Sequence, residues 1–142
     1  MAEQDKIAQL RNVSIFAGLH EDALWELAES ANDFDAAAGQ VLIQRNQAGN
    51  GLLILTDGRA TVEIGTQTID CGAGECIGEL SLLVDGLVHT ARVRAATDVR
   101  GFAINRSDFD RLVETDSRIA LAMLRAVALR LVATDQLLAT SH

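Results

Sequence analysis

Between Gly39 and Asn105 the chain is cut by glycines into short apolar runs, and that punctuation sets the fold class. Val41-Leu42-Ile43 and Leu52 to Leu55 have the length of strands, not helices. Ala60, Val62 and Ile64 alternate with Thr61 and Glu63 at the two-residue period of a half-buried strand. Gly39, Gly49-Asn50-Gly51, Asp57-Gly58, Gly65 and Gly72-Ala73-Gly74 separate these runs as turns. Asp57-Gly58 is also a hairpin signal in its own right. Val93, Ala95, Val99 and Ile104 extend the pattern by two more strands. Short strands at close, regular spacing predict a small β sandwich or barrel.

Helical patterns flank this region. Ile7 to Arg11 is a short helical stretch, and Leu24, Leu27, Ala28 and Ala31 mark an amphipathic helix over 21–30. Ser107 with Asp110 three residues on resembles a capping box, and Phe109, Leu112 and Val113 supply an apolar face. A long helix follows over 117–139. Its Leu124, Leu131 and Leu138 recur every seven residues, with Val127 and Thr134 three after the first two. Such a seam serves either a second copy of the chain or the helix's own barrel, and the pattern alone leaves both open. The expected organisation is one domain over 1–142, with a β roll over about 32–105 and C-terminal helices over about 106–139.

Composition narrows the function. The 142 residues suit a single domain. Twelve Lys and Arg against twenty Asp and Glu give a net charge of −8, which argues against a nucleic-acid partner. The longest strongly apolar run, Leu52 to Leu55, is too short to span a bilayer, and the first ten residues are polar. A cytoplasmic site with no membrane partner is expected. Cys71 and Cys76 match no zinc spacing, and His20, His89 and His142 are scattered, so no metal site is expected. No nucleophilic triad or Walker-type loop is present, so no enzyme is expected.

The stretch from Gly74 to Thr97 (GECIGELSLLVDGLVHTARVRAAT) carries the chemistry. Gly78 allows close approach of a ligand to the backbone, and a helical turn starting near it would offer free N–H groups to an anion. Glu79 has two readings. It is an acid favoured at a helix start by the dipole, or an acceptor for a sugar hydroxyl.

Leu10 to Leu19 (LRNVSIFAGL), Ala38 to Ile43 (AGQVLI), Leu53 to Gly58 (LILTDG) and Gly72 to Leu83 (GAGECIGELSLL), in this order and spacing, resemble the cyclic nucleotide-binding domain of the catabolite activator and protein kinase A regulatory subunit type. The resemblance spans roughly 7–139 and is most specific at Gly72 to Leu83, which is similar to the family's phosphate-binding cassette. It implies a mainly β fold with α: an eight-stranded jelly-roll-like β roll flanked by N-terminal helices and a long C-terminal helix. It also implies ligand contacts. Glu79 would accept the ribose 2′-hydroxyl, Gly78 and Leu80 would approach the sugar through their backbone, and the Ser81 N–H would meet the cyclic phosphate. Thr90 would lie beside the phosphate, and Thr134 would contact adenine.

The chain departs from that pattern at one position. In Val88-His89-Thr90-Ala91-Arg92-Val93, His89 stands where the family has its phosphate-binding arginine. Arginine presents a fixed charged fork to phosphate, whereas histidine is shorter and mostly neutral near pH 7. Losing one charge-assisted hydrogen bond costs about 1.5–3 kcal/mol, a roughly 10- to 150-fold loss of affinity. His89 either holds the phosphate as imidazolium, so that affinity rises from pH 7.5 to 6, or sits in an empty pocket. Strand alternation places Arg92 and Arg94 on the face opposite His89, Ala91, Val93 and Ala95, out in solvent.

Two functions follow. One is a stand-alone sensor with no DNA-binding segment, taking cyclic AMP (or cyclic GMP), needing no other cofactor, and acting on an unknown effector protein or a homodimer through helix 117–139. The other is a nucleotide-independent dimerisation or protein-interaction module on the same fold.

Overall fold

The strands pair as a set of nested hairpins in the computed structural model, which describes residues 3–44, 51–78 and 91–140. Among these, β1 is Asn32–Ala36, β2 Val41–Ile43, β3 Gly51–Asp57, β4 Ala60–Ile64, β5 Gln67–Cys71, β6 Cys76–Ile77, β7 Arg92–Ala95 and β8 Val99–Asn105. Strand β4 pairs with β5, β3 with β6, β2 with β7 and β1 with β8, all antiparallel. The sheets run β1-β8-β3-β6 and β2-β7-β4-β5. One long hairpin, tipped by the Gly65-Thr66 loop that follows the Ile64–Gln67 pair, is folded across itself into a jelly-roll arrangement.

Asp57-Gly58 does not make the hairpin its sequence predicts. Strand β3 lies in one sheet and β4 in the other, so this turn carries the chain between sheets. It is strapped to the return crossing: the Arg59 N–H donates to Thr97 Oγ1 at 2.9 Å, and the Ala96 N–H to the Arg59 carbonyl at 2.9 Å. Gly58 sits at φ +86, and a β-carbon there would lie 2.2 Å from the Asp98 carbonyl oxygen. The glycine answers a left-handed backbone and a close crossing, not a two-residue hairpin.

Helix α1 is Glu3–Arg11, a 3-10 turn covers Ser14–Phe16, α2 is Glu21–Ser30, α3 Arg106–Thr115 and α4 Ser117–Thr140. The helices cover the outer face of the first sheet. Leu52 and Ile54 of β3 and Phe102 and Ile104 of β8 face Leu10, Phe16, Leu24, Leu27, Phe109, Ile119 and Met123 in one buried cluster. Each such side chain contributes about 1.5–3 kcal/mol on burial. Leu55 faces the other way, into the roll interior with Ala36, Ala60, Val93, Ala95 and Val99. Strand β3 is thus covered on both faces, which explains the unbroken apolar run Leu52 to Leu55.

The sequence places three helix details differently. Helix α1 begins at Glu3, four residues before the predicted start. Helix α3 is capped by Asn105 rather than Ser107. Asn105 keeps an extended backbone, its side-chain oxygen accepts the Asp108 N–H at 2.8 Å, and its amide nitrogen donates to the Asp108 carboxylate at 3.0 Å. The capping pair is therefore two residues upstream of Ser107 and Asp110. In α4, Ile119 and Met123 are buried and Val127 packs partly on the core, while Leu124 and Leu131 stay 66% and 63% exposed. The side chain of Leu138 lies outside the described residues. The barrel thus takes one face of α4 and leaves the leucine stripe uncovered.

Candidate ligand-binding site

The cassette segment leaves one sheet and arrives in the other. Among the described residues strand β6 pairs with β3, through Leu53–Ile77 and Ile54–Cys76. The turn ahead of it is fixed by four hydrogen bonds: Gly74 N–H to the Leu55 carbonyl at 2.7 Å, Leu55 N–H to the Glu75 carbonyl at 3.0 Å, Glu75 N–H to the Gly72 carbonyl at 3.1 Å, and Gly72 N–H to Glu75 Oε1 at 3.3 Å. Directly after β6, Gly78 adopts φ +83, where any residue with a β-carbon is strained. The chain therefore turns sharply at the position where the sequence predicts close backbone approach to a ligand.

On the far side, β7 runs between β2 and β4. Val93 pairs with Ile43 on one flank and Val62 on the other. Val93 and Ala95 are buried, as alternation predicts, and Arg92 and Arg94 point outward. Both arginines engage Glu63: Arg92 Nη2 lies 2.5 Å from Glu63 Oε2, and Arg94 Nε lies 3.5 Å from Glu63 Oε1. Arg94 also donates to the Gly39 carbonyl at 2.9 Å. The Arg92 hydrogen bond, then the Arg94 one, hold the Glu63 carboxyl below its ordinary range. Both arginines lie on the outer face of β7, held by Glu63, and neither faces the roll interior.

Of the predicted contact residues, Gly78 and Thr134 are described. Thr134 lies in the exposed second half of α4. Glu79, Leu80, Ser81, His89 and Thr90 lie outside the described residues. Cys71 and Cys76, at the ends of β5 and β6, form no disulfide and are half-buried. Burial, then Glu75 and Asp70, push the Cys71 thiol up, which keeps it protonated and disfavours redox chemistry there. Among the described residues no three His, Cys, Asp or Glu side chains gather as a metal site, and no helix is long and apolar enough to cross a membrane.

Sequence reasoning missed two polar assemblies. The Glu63 clamp depends on Glu63 lying opposite Arg92 across the β4–β7 ladder, a register that alternation within each strand does not give. The second, between His20 and Asp116, has no sequence signal, because 96 residues separate the partners.

Eight described strands in a jelly roll with helices at both ends, a tight glycine turn after β6 and a half-buried strand β7 downstream give the β roll the sequence predicts. The chain belongs to the cyclic nucleotide-binding domain family, whose sequence profile matches residues 34–116. It is 30% identical over 108 residues to a cyclic nucleotide-gated potassium channel of Rhizobium etli, covering 76% of this chain and 30% of the channel. Its fold superposes on the N-terminal domain of a transcriptional regulator from Streptomyces coelicolor with a TM-score of 0.83 and 30% identity, covering 90% of this chain and 95% of that one. A cyclic nucleotide-binding-like protein from Brucella abortus gives 0.70 and 27%, covering 78% and 98%.

Proposed function

We propose that this chain is a regulatory domain that binds a cyclic nucleotide, most readily cyclic AMP, with His89 taking the place of the phosphate-binding arginine. The observation that carries this reading is the cassette sequence Gly72 to Leu83 meeting the left-handed turn at Gly78. Glu79 would accept the ribose 2′-hydroxyl, the backbone of Gly78 and Leu80 would face the sugar, the Ser81 N–H and the Thr90 hydroxyl would face the phosphate, and Thr134 would reach adenine from α4. His89 would bind as imidazolium, giving weaker, acid-favoured affinity. The domain acts by binding rather than by catalysis. Occupancy would shift α4, whose exposed leucine stripe would meet a second copy or an effector protein.

A second reading rests on the same stripe together with His89. With the arginine lost and α4 apolar on its outer face, the roll would serve as a nucleotide-independent dimerisation module. Calorimetric titration with cyclic AMP and cyclic GMP separates the two. Binding by the wild type that Glu79→Ala abolishes supports the sensor. Silence in the wild type, restored by His89→Arg, supports the module. Silence in both variants overturns nucleotide recognition by this pocket.

A further inference from the structure

The start of α2 and the joint between α3 and α4 meet at one imidazole. His20 is the N-cap of α2, with an extended backbone. Its Nδ1 accepts the Ala23 N–H at 3.2 Å, an N–H shared with the His20 carbonyl at 3.1 Å. Its Nε2 lies 3.1 Å from Asp116 Oδ2. A backbone N–H can only donate, so the Nδ1 facing it is bare. The ring is then the neutral Nε2–H tautomer, and its other nitrogen donates to Asp116.

Asp116 holds three things at once. Its N–H closes α3 on the Leu112 carbonyl at 2.9 Å. Its Oδ1 accepts the Arg118 N–H at 3.1 Å, which caps the start of α4. Its carboxylate also takes the Arg118 guanidinium at 3.0 Å through each of its oxygens. The Arg118 bonds, with the His20 bond, lower the Asp116 carboxyl to about 2, so it stays ionised at neutral and mildly acid pH. A shift of α4 about its first turn has to pass through this joint.

We infer that His20 is a positioning residue for α4 and a pH-sensitive one: its neutral ring fastens α2 to the α3–α4 joint through both nitrogens, and its protonation releases the α2 cap while tightening the hold on Asp116. A proton placed on Nδ1 would face the Ala23 N–H as a second donor, so that N–H would keep only the His20 carbonyl at 3.1 Å and the side-chain part of the cap would open. The same proton turns the Nε2–H to Asp116 contact into a charge-assisted pair. The charged groups around the ring are Asp116, which bonds it at the joint, Arg118 and Arg125 of α4, which line a groove with it, and Glu21 and Asp22, which follow it in the first turn of α2. Arg118 is already engaged by Asp116. Histidine is the side chain whose charge changes between pH 5 and 8.

The test uses the full chain labelled with nitrogen-15 and needs no nucleotide, so its failure is distinct from a failure of nucleotide binding. Ring nitrogen shifts and amide exchange are followed from pH 8 to pH 5. The expected result is an Nε2–H tautomer at pH 8. On acidification, Ala23 protection, corrected for intrinsic exchange, falls by about five-fold, the measure of a lost N-cap. Arg118 protection holds or rises over the same range. His20→Asn keeps a cap acceptor but does not titrate, and its Ala23 protection stays flat. An Nδ1–H tautomer at pH 8, unchanged Ala23 protection while the ring titrates, or an equal fall in His20→Asn would each overturn the inference. A parallel loss at Ala23 and Arg118 would do so too, since it reports general loosening.

Discussion

Arg92 and Glu63 face each other across the β4–β7 ladder and close to 2.5 Å on the outer surface of the roll. Because the pair is outward, its loss is expected to act on stability and not on ligand affinity. Arg92→Ala should leave any cyclic nucleotide affinity within about two-fold, since half-exposed ion pairs are worth little. The Glu63 carboxyl is lowered in the folded state by Arg92 and then Arg94. Its contribution is therefore present above its unfolded value and lost as pH falls through the folded one. Glu63→Gln should flatten the acid limb of a melting-temperature profile between pH 5 and 3. A profile unchanged in that range would remove Glu63 from the account.

Asp116 gives a sharper version of the same dependence. Its carboxyl is lowered from 3.8 to about 2, first by the Arg118 side chain. The stabilisation is complete above about pH 4 and disappears between there and pH 2. Asp116→Asn should lose that acid-labile part and loosen the α3–α4 joint at neutral pH. Circular dichroism melts from pH 7 to 2.5 check this, and parallel curves for the two proteins would contradict it.

His89→Arg restores the charged fork. The expected gain in cyclic AMP affinity is roughly 10- to 150-fold. The wild type should bind more tightly at pH 6 than at pH 7.5, and His89→Arg should be insensitive to that change. Calorimetry at the two pH values reads both effects. Equal wild-type affinity at both would remove the imidazolium from the phosphate contact.

Gly58→Ala tests the crossing between sheets. A left-handed backbone and a β-carbon 2.2 Å from the Asp98 carbonyl oxygen leave no room for the methyl group. Urea unfolding should show a loss above about 2 kcal/mol. A loss under half of that would mean that the two crossings relax apart at little cost.

The two faces of α4 predict opposite outcomes. Met123 is buried, and Met123→Ala should cost about 2–3 kcal/mol of stability. Leu124 and Leu131 are largely exposed, so Leu124→Glu with Leu131→Glu should leave stability nearly unchanged. If the stripe joins two copies, the double variant should sediment as a monomer where the wild type does not. A monomeric wild type would dismiss self-association through this face.

Local signals made much of the fold legible. Leu24, Leu27, Ala28 and Ala31 mark α2 because their spacing is the period of the element and all four are buried. Val93 and Ala95 were readable as inward for the same reason. The signals that misled were also local. Asp57-Gly58 carries hairpin chemistry, but which strand follows in which sheet is a long-range matter. Ser107 looked like a cap until Asn105, at the end of β8, proved to hold the Asp108 N–H. Gly78 was legible as a special backbone position from its residue type alone, and its φ of +83 agrees. The His20–Asp116 joint was not, since neither residue's neighbours in sequence hint at the other.

The nested strand pairing also sets an order of events in time. The β4–β5 ladder closes over a two-residue loop, whereas Asn32 and Ala103 must meet across 71 positions of chain. Loop closure grows costlier with length, and each outer ladder is shortened by the one inside it. Assembly is thus expected to zip from the Gly65 tip outward. Strands β6 and β7, whose ladders lie outside the tip, are then expected to pair only after it. Pulled apart at its two ends, the roll would open one rung at a time from β1 and β8, with the tip the last to yield.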